Sequence, residues 1–364
     1  MPIKDDFERE EFEQHPRVIE LKRIADEVTG ALLNTQKQLA KVKKSKDDFT
    51  YAVVRAAHDA MLSLGAVPPV PAPKVDKRKA KEEVALLHST DWQLGKRTLT
   101  YDTAECERLV KQSIETTIRI TDIQRQDHPV KEIYLMLGGD IVENTTIFPS
   151  QVYEVDSDVM AQFVAASRIL VDIVRTLLAN YEKVTVVCEP GNHGRMGKLG
   201  ELPKDVNWDK LVYMFAGETL RDEKRLTWQM SKEDIQRVHI PDPTGKGGGY
   251  KALLIHGDEI RWGTASTIVR FADRWKSGAY KFFDEVDKIT KGFDFRDLYI
   301  GHFHQHQSWN MANGEGSVFM SAAVESGNRY ARDLLASNGE PSQRLHFVDP
   351  IKGRVSAEYR LWLD

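Results

Sequence analysis

Residues 133–144 read Ile-Tyr-Leu-Met-Leu-Gly-Gly-Asp-Ile-Val-Glu-Asn. A short apolar run closed by glycines predicts a buried strand, and the glycines permit the tight turn that presents Asp140 at its carboxyl end. The same arrangement recurs on both sides of it. Val84–Leu87 runs into His88, Ser89, Thr90, Asp91, Trp92 and Gln93, and Val184–Val187 opens onto Gly191, Asn192, His193, Gly194 and Arg195. Leu253–Ile255 delivers His256, Gly257 and Asp258, and Leu298–Ile300 delivers Gly301, His302, Phe303, His304, Gln305 and His306.

Helix-period stretches at Glu105–Gln124 and Asp158–Leu178 separate several of these strands, the alternation of an α/β sheet with helices outside. Later, Ser317–Ala322, Arg344–Val348 and Val355–Trp362 read as consecutive strands with short turns, so a mixed two-sheet sandwich is expected. In open α/β sheets ligands bind beyond the carboxyl ends of the strands. Five such ends carrying Asp, Asn and His predict a metal centre, with donors suited to Mn, Fe, Zn or Ni more than to Mg or Ca.

With these blocks in this order, the chain resembles the calcineurin-like metallophosphoesterase superfamily, whose signature is Asp-x-His, Gly-Asp, Gly-Asn-His, a lone His and Gly-His-x-His. Four of the five blocks match outright, over roughly residues 84 to 325. The resemblance implies an α/β fold, a four-layer αββα sandwich of two mixed sheets. It implies two divalent ions: Asp91, His304 and position 93 hold one, Asn192, His256 and His302 hold the other, and Asp140 bridges them. Ions so bridged lie about 3.5–4 Å apart and activate a hydroxide for in-line attack on phosphorus. His193 takes the family position beside the leaving oxygen, where it donates a proton or stabilises charge.

Two departures stand out. Gln93 replaces the usual histidine, and an amide oxygen is a harder, weaker ligand that favours Mn. Gly194 and Arg195 follow the Gly-Asn-His block where an acid is common, so His193 needs another orienting partner. Arg195 either grips a substrate phosphate bidentately or lies exposed at the surface. Asn144 either orients a phosphate or is structural. His88, His306, Asp258 and Glu143 read as residues that support the ligands or the fold.

The substrate is less legible. Residues 261–288 interleave Arg261, Trp262, Arg270, Phe271, Arg274, Trp275, Lys276, Tyr280, Lys281 and Phe282, a pattern that suits nucleic-acid strands. Ile268, Phe271, Ala272 and Trp275 also lie at helix spacing, which fits an amphipathic helix on the core. Within the superfamily the chain looks most like the nucleases of DNA double-strand-break repair. The leading expectation is therefore a metal-dependent nucleic-acid phosphodiesterase or DNA nuclease. Two alternatives stay open: a phosphatase or phosphodiesterase acting on a small molecule or phosphoprotein, and a catalytically weak binding or scaffold module.

The 364 residues divide, on this reading, into a helical appendage (1–66), a proline-rich and charged linker (67–83) and a catalytic domain (84–364). Two amphipathic helices in the appendage fit a protein partner, a homodimer or packing on the chain's own catalytic domain. The lysines at 41, 43, 44 and 46 read as a solvated face. A net charge of −4 excludes a protein that coats nucleic acid by bulk charge, and two cysteines cannot build a disulfide framework. With no apolar stretch long enough to span a bilayer, a cytoplasmic protein with no membrane partner is expected.

Overall fold

Strand β1 (Glu83–Ser89) is buried along its whole length, which is why its sequence is an apolar run rather than an alternation. It pairs in parallel with β2 (Val130–Leu137), and β2 with β3 (Lys183–Cys188), in a register that sets Ser89, Leu137 and Cys188 level. The three carboxyl ends therefore open at one height. β4 (Leu226–Gln229) continues the sheet beyond β3, while β10 (Ser342–Asp349) and β11 (Arg354–Trp362) extend it antiparallel beyond β1. The order is β11-β10-β1-β2-β3-β4.

A second sheet has the order β5-β6-β7-β9-β8. Its parallel centre is β6 (Tyr250–Leu254), β7 (Asp297–Ile300) and β9 (Ser317–Met320), with β5 (Gln236–Ile240) and β8 (Gln307–Asn310) antiparallel at its edges. This computed structural model describes residues 67–364 apart from 79–80, 146, 149–150, 205, 231–234, 262, 277–293, 313 and 326–339. The helical appendage expected over residues 1–66 lies outside the described residues.

Val84, Leu86, Tyr134, Met136, Val187 and Val348 of the first sheet meet Val238, Ile240, Tyr250, Ala252, Leu254, Tyr299 and Phe319 of the second. Side chains alternate across a strand, so Ala85, Leu87 and Leu135 face the opposite way and are also fully buried. Helices α1 (Thr103–Gln124) and α2 (Val159–Asn180) lie on that side, against β11 and β3 respectively. Each starts at an aspartate whose carboxylate accepts backbone N–H groups of the first turn, Asp102 from Glu105 and Asp158 from Met160 and Ala161. α3 (Trp208–Thr219) packs on α2.

The outer face of the second sheet is covered by α4 (Ala265–Lys276), whose Ile268, Ala272 and Trp275 pack with Leu253, Ile255, Leu298, Ile300 and Met320. The result is the expected αββα sandwich of two mixed sheets. Phe271 also packs against this core. The helix-spacing reading thus holds for Phe271 and Trp275, which are committed to packing; Trp262, Tyr280, Lys281 and Phe282 lie outside the described residues.

The stretch expected to be a linker lies along the sandwich from residue 67 to 78. Val67 N–H donates to Thr219 O, Val70 N–H to Glu223 Oε2 and Asp76 N–H to Glu182 Oε1, and Arg225 Nη2 donates to Val70 O. Prolines leave few donors on this segment, and Val67, Val70 and Asp76 use theirs to hold it to the sandwich.

Polar groups also cross the core between the sheets. Tyr250 Oη donates to Asp297 Oδ2 (2.8 Å), Tyr250 and Tyr299 share a hydroxyl contact (3.0 Å), and Tyr299 Oη reaches His346 Nδ1 (2.7 Å). Burial, with the Arg344 guanidinium beside it and against the pull of Glu358, holds the His346 imidazole down at about 4. A histidine whose folded pKa is depressed contributes stability that is complete above its unfolded value near 6.5 and is lost as pH falls toward 4. Melts at pH 7 and pH 5 should therefore show His346→Gln losing about 2 kcal/mol less stability than the parent chain over that interval. Parallel pH slopes in the two proteins would refute the assignment.

Candidate metal centre

The ligand-bearing turns after β2 and β3 are held together by one residue outside them. Asp209, in the first turn of α3, accepts N–H from Ile141 and Val142 with one oxygen (3.1 and 3.2 Å) and from Gly191 with the other (2.9 Å). Asn207, which caps α3, donates from Nδ2 to Gly191 O (2.9 Å). At Gly191 a Cβ would stand 2.0 Å from Asp140 Oδ1, so only glycine lets this loop lie against the Asp140 carboxylate.

Across the sandwich, His256 Nδ1 contacts Gly138 O (2.8 Å), and the His302 N–H reaches both Asp91 oxygens (3.1 and 3.2 Å). The strand-end loops of the two sheets are thereby bonded to each other. The backbone carries strain here. Of the seven non-glycine described residues with left-handed φ, six lie in this cluster: Asp91, Gln93, Asp140, Asn144, His302 and His304. Such residues persist where their surroundings over-determine them, and they concentrate at functional sites.

Asp140, His256 and His302 each offer a ligand atom, all within 4.8 Å of one another. His256 Nε2 lies 3.1 Å from Asp140 Oδ2 and 2.9 Å from Asn192 Oδ1. The four residues implied for one ion therefore converge. Asp91 and His304 form a second group, with His304 Nε2 3.4 Å from Asp91 Oδ1. Gln93 joins them, but its amide nitrogen faces His304 Nε2 (3.3 Å) while its oxygen accepts from Lys96 Nζ (3.2 Å).

Asp91 and Asp140 are buried carboxylates, which are costly without a compensating charge. Burial opposes their ionisation, yet His304 and His256 hold Asp91 below the usual carboxylate range, and His256 and His193 do the same for Asp140. Against its own burial, His256 is raised well above the usual imidazole value by Asp140, Asp91 and Asp258. Two buried acids ringed by imidazole and amide donors fit a divalent cation by the chemistry of the donor set. His256 Nδ1 on Gly138 O and His304 Nδ1 on Glu325 Oε1 (3.0 Å) leave both Nε2 atoms turned toward the acids.

His193 lies over this group. Its N–H donates to Asp140 Oδ1 (2.8 Å), its Nε2 is 3.9 Å from Asp140 Oδ2, and its Nδ1 is 3.1 Å from Glu143 Oε2. Glu143 is thus the orienting acid that position 194 does not supply. Burial lowers the imidazole pKa, but Glu143 and Asp140 outweigh it and raise the group above its usual value. Gln151 Nε2 donates to Glu143 O (2.5 Å) and lies 3.3 Å from His193 Nδ1. The Phe148 ring, 41% exposed, sits 4.9 Å from the imidazole.

The two residues expected to touch substrate are engaged elsewhere. Asn144 Nδ2 donates to His193 O and Arg195 O (both 2.8 Å), and its oxygen accepts from Thr145 N–H, so the side chain clamps the 193–195 loop. Arg195 is ion-paired with Asp258. His88 and His306 stand apart from the ligands. His88 Nδ1 contacts Ser321 Oγ (2.8 Å), and burial followed by the Arg344 charge pushes His306 down to about 3.

Asp209, Glu325, Gln151 and Lys96 were missed by sequence reasoning. Asp209, Glu325 and Gln151 act through contacts to residues in other loops or turns, and Lys96 through a hydrogen bond to Gln93 in its own turn; nothing in their local sequence signals these roles. No helix among the described residues is long and apolar enough to cross a membrane.

No protein-family model matches the chain, and no curated protein sequence matches it. Similar solved structures include zinc-bound Vps29 from Entamoeba histolytica, at 13% identity and a TM-score of 0.31, covering 77% of this chain and 99% of that one. A predicted phosphoesterase from Streptococcus pneumoniae TIGR4 is 9% identical with a TM-score of 0.25, covering 77% and 99%. The 5'-nucleotidase of Candida albicans SC5314 is 10% identical with a TM-score of 0.34, covering 79% of this chain and 53% of that one. These likenesses decide nothing about activity.

Proposed function

We propose that this protein is a metal-dependent phosphoesterase of the calcineurin-like metallophosphoesterase type. The observation that carries the reading is the convergence of Asp140, Asn192, His256 and His302 beneath His193, on loops cross-bonded between two sheets. A divalent ion held there supplies Lewis-acid polarisation of a phosphoryl oxygen and a nucleophilic water at neutral pH. The chain's own residues do the rest. His193, raised in pKa by Glu143 and Asp140, keeps a proton that it can give to a leaving oxygen. Glu143 and Gln151 fix its ring, and the Asn144 clamp fixes the loop that carries it.

Among phosphoesters we favour a phosphodiester of a nucleic acid or nucleotide. Support comes from Phe148, half exposed beside His193, and from Tyr153, 87% exposed on the 3₁₀ turn Gln151–Tyr153 that holds Glu143. Aromatic faces open to solvent next to a phosphate site suit base stacking. A second reading, a small phosphoester, is favoured by the neutralised cations beside the site. Arg195 pairs with Asp258, and Lys204 with Glu259 (2.6 Å) and Glu189 (3.3 Å).

The deciding assay uses metal-free protein reloaded with Mn, Zn, Ni or Mg against bis-p-nitrophenyl phosphate, single-stranded DNA, duplex DNA and RNA. Metal-dependent cleavage of the small diester and of a nucleic acid is the expected result. Cleavage of the small ester alone removes the nucleic-acid reading and leaves the phosphoesterase. No cleavage with any metal removes both.

A further inference from the structure

Lys96 is an unusual neighbour for a metal centre. Its side chain is 6% exposed, its Nζ donates to Gln93 Oε1 at 3.2 Å, and it stands 3.9 Å from Glu143 Oε1. An ammonium has three donors and no acceptor, and an amide has one oxygen and one NH2 group. Only the oxygen of Gln93 can therefore face Lys96. Turning the amide over would set NH2 against a buried ammonium and leave donors on both groups unpaired, a costly arrangement away from water.

The consequence falls on the Asp91–His304 group. The amide oxygen is the one atom through which glutamine binds a cation, and it points to Lys96. What Gln93 turns toward His304 Nε2, 3.3 Å away, is its amide nitrogen, which repels a cation and welcomes an anion. The Lys96 charge also stands close behind it. Glu143, the acid 3.9 Å from Lys96, already contacts His193.

We infer that Lys96 locks Gln93 out of metal ligation, so that the chain binds one divalent ion tightly at Asp140, Asn192, His256 and His302 and a second only weakly at Asp91 and His304. This rests on the metal reading proposed above, and it departs from the expectation that position 93 is a ligand.

The test is metal stoichiometry, read without turnover. Metal-free full-length protein is titrated with Mn²⁺ in equilibrium dialysis, and bound metal is measured by elemental analysis. The parent chain should retain about one ion per chain at concentrations where a symmetric pair would retain about two. Gln93→Glu keeps the shape of the side chain, and a carboxylate can accept from Lys96 with one oxygen while offering the other. That variant should bind about two ions per chain. Lys96→Met should tighten the second ion by at least about tenfold.

Two ions of equal affinity in the parent chain would overturn the inference while leaving the metal reading intact, and so would a second-ion affinity unchanged in both variants. No bound ion in any of the three proteins would overturn the metal reading and this inference with it.

Discussion

Asp140→Ala is expected to lose metal binding and phosphoester cleavage together, with kcat/KM falling by on the order of 10³-fold or more. One Asp140 oxygen lies 3.1 Å from His256 Nε2 and the other accepts the His193 N–H at 2.8 Å, so one carboxylate organises both the ligand group and the proposed proton donor. Alanine removes the charge and releases the 193 loop. Metal content and kcat/KM, measured on the same preparation, check this. A variant that keeps its metal and its activity would remove Asp140 from the centre.

His193→Ala should separate chemistry from metal binding. We expect metal content unchanged and kcat lower by about 10²- to 10⁴-fold on an ester with a poor, basic leaving group. On p-nitrophenyl esters the deficit should shrink, because an acidic leaving oxygen departs without a proton. The geometry behind this is the Nδ1–Glu143 contact of 3.1 Å, which orients the ring. Equal losses on both kinds of ester would show that His193 positions the substrate rather than supplying a proton.

The pH behaviour expected of His346 is of a different kind. It lies in the polar chain between the sheets, where Tyr299 and Arg344 are its neighbours, and it reports stability rather than turnover. The acid sensitivity that His346 gives the fold is thus separate from that of the reaction. Comparing the His346→Gln melts with activity profiles keeps the two apart.

How much could be read beforehand follows from where each residue sits. The strands that delivered ligands, β1, β2, β3, β6 and β7, occupy the interior of their sheets. Covered on both faces, they must be apolar runs, and such runs are visible in sequence. The strands that went unread, β4, β5 and β8, all lie at sheet edges. Edge strands bond on one side and carry polar residues, as in Gln307–Asn310, and β5 alternates buried and exposed along its length. The interleaved segment after Arg261 was ambiguous for a related reason: aromatic residues at helix spacing serve a core and a nucleic-acid surface with the same pattern, and in α4 the core has Phe271 and Trp275.

By itself the sequence determined that five buried strands end in Asp, Asn and His, and therefore that a donor cluster forms at one edge of an α/β sandwich. Burial and turn chemistry are local properties, and both are written in adjacent residues. Only the tertiary structure decided which side chains face which. It gave Glu143 to His193, Glu325 to His304, Asp258 to Arg195 and Asp209 to two loops at once. It also turned the Gln93 oxygen to Lys96. Orientation of an amide or an imidazole depends on the one donor or acceptor within about 3 Å, and in most of these pairs that partner comes from a distant part of the chain.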